Sequence, residues 1–149
     1  MATTINDIVP QSVLVKIANR VAQSARGFAR KYSKRIPRAI KVGRVTSTQT
    51  TASITIWVDT GAAPQALAFE RGAKPHIISA RNAPFLVFEG TNMFEGELII
   101  TPKVSHPGIA KRPYLQPAKD KHRAQNLKEI REAVGKNMRL QIRAMARKV

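Results

Sequence analysis

The apolar residues of this 149-residue chain change their period twice. Leu14, Ala18, Val21, Ala25, Phe28 and Tyr32 recur every three or four positions. Ala52, Ile54, Ile56 and Val58 recur every second, and Leu127, Ile130, Val134, Met138, Ile142, Met145 and Val149 return to steps of three and four. Steps of three and four line one face of a helix, and steps of two line one face of a strand. The order helix, strands, helix therefore predicts an α+β fold: an antiparallel sheet of four to five short strands packed against a long N-terminal and a long C-terminal helix. One domain over residues 1–149 accommodates this.

The N-terminal helix is expected over about 10–35, opened near Pro10 and ended by Pro37. The sheet follows over about 40–104. It comprises a hairpin from "KVGRVTS" and "TASITIWVD", a short helix in "GAAPQALAFERGA" ending near Gly72, and strands in "HIIS", "FLVFEG" and "ELIIT" with a loop at 90–96. Phe28, Phe85 and Phe88 fall on faces or strands assigned to the core, and Trp57, which alternates away from Ile56, is either exposed or buried by a sheet covered on both faces. Residues 105–113 form a proline-rich loop, and the C-terminal helix runs from about 113 to 148, with Gly135 inside it as a candidate kink.

Lys and Arg number 26 against 9 Asp and Glu, a net charge of +17. The charge is bipolar. No acid lies between Asp7 and Asp59, an interval whose ten basic residues include the basic face Arg26, Arg30, Lys34, Arg35 and Arg38. From residue 101 on, thirteen basic residues meet three acidic ones, whereas the middle, 45–100, holds five acidic and three basic. Such a pattern permits head-to-tail packing of copies as easily as binding of a polyanion. A basic, non-enzymatic nucleic-acid-binding protein is thus the alternative reading, with salt-sensitive binding as its mark.

Catalytic chemistry finds little to work with. There is no cysteine, the glycines make no phosphate-binding loop, and His76, His106 and His122 lack the spacing of a helical metal site. No enzyme activity, metal or cofactor is expected. The N-terminal residues lack a basic leader followed by an apolar run, and no apolar window is long enough to span a bilayer, so a soluble chain that starts in the cytoplasm and has no membrane partner is expected.

Two stretches carry a further signal: "AFERGAKPHIISARNAPFLVFEG" and "SHPGIAKRPYLQPA". Phe69, Glu70 and Gly72 make an aromatic–Glu–x–Gly segment. Pro75, His76, Ile77 and Ile78 follow, then Leu86 and Phe88 in a Leu-x-Phe strand, His106, Pro107 and Gly108 in a loop, and Arg112, Pro113, Tyr114, Leu115, Pro117 and Ala118 at a helix start. In order and spacing these resemble the small tail-completion or head–tail joining (neck) proteins of long-tailed bacteriophages. The resemblance covers about fifty residues, and Arg71 stands where family members often carry a bulky apolar residue.

The resemblance implies a structural virion protein, part of a neck or tail-end ring that completes the tail and joins it to the head. It implies a homo-oligomeric ring, six-fold by preference, with neck, tail-terminator or tail-tube proteins as neighbours and non-specific contact with packaged DNA. Location in the virion, after assembly in the host cytoplasm, follows. Two residue-level expectations accompany it. Glu70 and Arg112 are expected to pair as a clamp between motifs. The far end of the C-terminal stripe, with Arg139, Ile142, Arg143, Met145, Arg147 and Val149, is expected either to pack on the N-terminal helix or to dock on a neighbouring subunit or another neck protein.

Overall fold

A computed structural model describes residues 8–48, 50–90 and 96–147. Helix α1 (Gln11–Ala29) is followed by a one-turn helix α2 (Ile36–Ala39), the hairpin β1 (Ile40–Ser47) and β2 (Ala52–Val58), a short helix α3 (Ala66–Arg71), strands β3 (His76–Ser79), β4 (Leu86–Glu89), β5 (Leu98–Thr101) and β6 (Lys103–His106), and the long helix α4 (Leu115–Ala146). The class is α+β, with antiparallel strand pairing and a long C-terminal helix.

The core is built of small side chains. Ala18, Ala22, Ala25 and Ala29 of α1 are buried at steps of four, three and four, so other backbones can approach that face closely. Ala22, Ala25 and Ala29 gather with Ile36, Ala39, Ile40, Ala63, Ala66, Tyr114 and Ala118, and Ile56, Val58, Phe28 and Phe69 pack around them. The α1 stripe is buried as its period predicts, as far as Ala25.

Helix α1 ends earlier than residue 35. The Tyr32 and Ser33 amides both donate to the Ala29 carbonyl oxygen, closing the helix. The Ser33 hydroxyl then accepts the amides of Arg35 and Ile36, which starts α2. Pro37 therefore opens a new helix, where its missing N–H has no partner to lose, and does not close the old one.

The strands do not form one sheet of four to five. Among the described residues six strands make three two-stranded pairs: β1–β2, β3–β6 and β4–β5. The last two pairs are one continuous arm. β5 and β6 are separated only by Pro102, which accepts the Ala80 amide on its carbonyl but has no N–H of its own to continue the ladder. Opposite Pro102, residues 81–85 bulge out between β3 and β4, and the Gly90 amide to the Glu97 carbonyl extends the pairing beyond β4–β5. Nine residues from Leu98 to His106 extend roughly 30 Å at 3.3 Å each.

Helix α4 begins at Leu115, not Pro113, and runs unbroken through Gly135. It lies antiparallel on α1. Ser24 Oγ is 2.7 Å from His122 Nε2, Arg20 donates to Asn126 Oδ1 at 2.9 Å and Glu129 Oε1 at 2.6 Å, and Asn137 Nδ2 reaches the Ile8 carbonyl oxygen.

Candidate assembly interface

The motif residues meet at the junction from which the arm and α4 leave the core. Glu70, at the end of α3, turns its carboxylate to the start of α4. Its Oε2 accepts the amides of Tyr114 and Leu115 at 2.8 and 3.0 Å, and its Oε1 accepts that of Gln116 at 3.1 Å. A helix start leaves four N–H groups unpaired, and Tyr114, the first flanking residue, provides no side-chain cap. Glu70 satisfies three, and the fourth does not exist because the next residue is Pro117. Its charge also sits at the positive end of the helix dipole.

Tyr114 plugs the junction. Its ring is fully buried and its hydroxyl donates to the Ala66 carbonyl oxygen at 3.2 Å. Burial, with the neighbouring Glu70 charge adding to it, pushes the phenol up to about 12. Leu115 packs half-buried beside it.

The expected Glu70–Arg112 pair is not formed. Glu70 is engaged by the α4 amides, and the Arg112 guanidinium lies 5.8 Å from the ring centres of both Tyr32 and Phe69, which stack on each other at 6.3 Å. Arg112 still ties the two motifs, through its amide to the Phe69 carbonyl at 2.7 Å. Pro113 fixes the chain between these two anchors.

The His-Pro-Gly loop completes the junction. Ala73 and Ile109 exchange backbone hydrogen bonds, both 2.9 Å. Gly108 has φ +86°, and a Cβ there would fall on the Ala73 carbonyl oxygen, so only glycine fits the crossing. Gly72, at φ +79°, turns the other strand of the crossing. Pro107 lines an apolar groove with Leu86 and Phe88. The Gly108 amide donates to His106 Nδ1, and the His106 ring faces that of His76, its cross-strand partner, at 5.1 Å. Sequence spacing concealed this histidine pair; pairing of the undetected β6 creates it. Among the described residues no group of three or more histidines and carboxylates is gathered as a metal ion would need, and no helix is long and apolar enough to cross a membrane.

Beyond the junction both appendages are bare. In the arm, Ile77, Val87, Leu98 and Ile100 are 60–67% exposed, and Phe85 and Phe88 are exposed too, contrary to their expected place in the core. No arm residue joins the core cluster. Trp57 is likewise exposed, on the outer face of the β1–β2 hairpin across from Lys41. Along the α4 stripe Leu127 is exposed and Ile130 and Val134 are half-buried; Met138, Ile142 and Met145 are all exposed, with Arg139, Arg143 and Arg147 one row round the helix. Val149 lies outside the described residues.

The basic face is smaller than expected. Arg26 is partly buried and donates to the Ile40 carbonyl oxygen at 2.9 Å, which pins β1 to α1. Arg30, Lys34, Arg35 and Arg38 are exposed, but they lie on the α1–α2 turn and α2 and not along one long helix.

The architecture is thus a small alanine-rich core from which a bare two-stranded arm and a bare helix end extend, the arm leaving at the junction and α4 running along α1. No family model, no curated protein and no solved structure matches this chain.

Proposed function

We propose that this protein is a structural assembly component, a subunit of the neck or tail-end ring of a long-tailed phage that completes the tail and joins it to the head. The observation that carries the assembly reading is the arm. An isolated two-stranded ribbon is marginal in water, and this one exposes large apolar side chains on both faces. Such a ribbon gains its burial from neighbours. The phage assignment rests on the resemblance of the five motifs, whose residues aim the arm and α4.

The reading is tested in particles. Preparations lacking the chain should contain unjoined heads and tails, restored by adding the protein, and an image of the complete particle should place it at the neck or tail end. Joined, infectious particles without it would refute the assignment. Non-specific DNA binding is the second reading, favoured by exposed Trp57 near Lys41 and by Arg30, Lys34, Arg35 and Arg38. It predicts duplex binding that weakens steeply with salt.

A further inference from the structure

The +17 chain repels its own copies over most of its surface, yet two stretches carry acid and no base. In residues 45–70 both acids are taken up by backbone amides, Asp59 in a turn and Glu70 at the start of α4. The described residues of the β4–β5 end of the arm, 86–90 and 96–101, include Glu89 and Glu97 and no Lys or Arg. Residues 136–147, the end of α4, hold four basic residues and no acid. Both are apolar where they are bare. In the β4–β5 register Val87 faces Ile100 and Glu89 faces Leu98, so these four share one face of the ribbon. Met138, Ile142 and Met145 lie at steps of four and three on one face of α4. Within one chain the two patches do not cover each other: Ile142 and Ile100 are 62% and 61% exposed.

We propose that the end of α4 of one copy docks on the Val87–Leu98–Ile100 face of the arm of the next copy, with Arg143 directed to Glu89 on that same face. This rests on the assembly reading and names its contact. The occupant is a second copy because the two patches are complementary in both apolar character and charge, and the exposed Glu89 and Glu97 of the arm make no salt bridge within the chain among the described residues. Each copy uses one surface to meet a different one, which propagates head to tail and closes where the rotation allows. Long-range repulsion between copies is screened at about 0.15 M salt, while the short-range apolar contact persists.

The absence of cysteine makes the test clean. Chains carrying Ile142→Cys and chains carrying Ile100→Cys are mixed at high concentration in about 0.15 M salt and oxidised. The mixed disulfide should exceed by about tenfold that formed when Thr55→Cys replaces Ile100→Cys. Arg143→Glu in the first chain should lower the yield about tenfold, and Glu89→Arg in the second should restore it. A yield equal to the Thr55→Cys control, with both chains folded by circular dichroism, would overturn the proposal. So would Arg143→Glu abolishing duplex-DNA binding while leaving the cross-link untouched. Sedimentation of the unmodified chain separates the two failures: oligomers without this cross-link put the contact elsewhere and leave the assembly reading standing. Joined particles formed without the protein would remove the assembly reading whatever the cross-link yield.

Discussion

Glu70 performs work that its sequence neighbours concealed. A Glu two residues before a glycine reads as a partner for the nearest motif arginine, and the carboxylate instead caps a helix that starts 45 residues later in the chain. The consequence is asymmetric. Glu70→Ala strips three amides of their acceptor and removes a favourable charge from the helix start, and should cost about 2 kcal/mol of stability in denaturant unfolding. Arg112→Ala removes an exposed cation–π contact and should cost under about 1 kcal/mol. Equal costs near 3 kcal/mol would restore the ion-pair reading. Tyr114 makes a second prediction. Its folded-state pKa, about 12, lies above the ordinary tyrosine value near 10, so the native state holds the proton more tightly. The resulting stabilisation is complete below pH 10 and is lost as pH rises through 12, about 2–3 kcal/mol in all. Tyr114→Phe forgoes the bond to Ala66, about 1 kcal/mol at pH 7, but lacks this alkaline loss. The two unfolding curves should therefore converge or cross between pH 10 and 12.

At the scale of elements, period carried most of the information. Both long helices and the hairpin follow from spacing, the short helix from its bounding glycines, and strands β3, β4 and β5 from short apolar runs between turn residues. β6 did not: "KVSH" is four residues with one large aliphatic side chain, and its partner lies 27 residues upstream. The single sheet failed for a different reason. "HIIS" and "FLVF" are apolar on both faces, which signals coverage on both sides without saying whether the same chain provides it. The end of α1 was legible in principle, since Ser33 ahead of Ile36 and Pro37 is a helix-start signal. Between α1 and α4 the tie is polar, with Arg20 and Lys16 both on Glu129. Partial burial raises the Glu129 pKa, but the hydrogen bond and charge of Arg20, helped by Lys16 and Gln125, outweigh it and hold the carboxyl below the usual range. A depressed carboxylate pKa stabilises above the unfolded-state value, near 4.3, and the contribution disappears as pH falls through the folded value. Thermal unfolding of the native chain should thus lose more stability between pH 7 and pH 3 than that of Glu129→Gln.

The whole molecule has a boundary drawn by burial. Side chains from α1, α2, the β1–β2 hairpin, α3 and the first turns of α4 enclose one core, whereas the arm and the end of α4 contribute nothing to it. The junction of Glu70, Gly108, Arg112 and Tyr114 ties the start of α4 to α3 and to the base of the arm, and α1 then guides α4 along its length. The central claim is that the exposed apolar surface serves contacts outside the chain. Removal of residues 138–149 tests it most directly, because it spares Arg20, Lys16 and Glu129 between α1 and α4 and the Asn137 bond to the Ile8 carbonyl oxygen just ahead of α1. The truncated protein should melt within a few degrees of the full chain and remain soluble, and it should fail to complete infectious particles. Unfolding on truncation, or full particle titres with the shortened chain, would contradict the account.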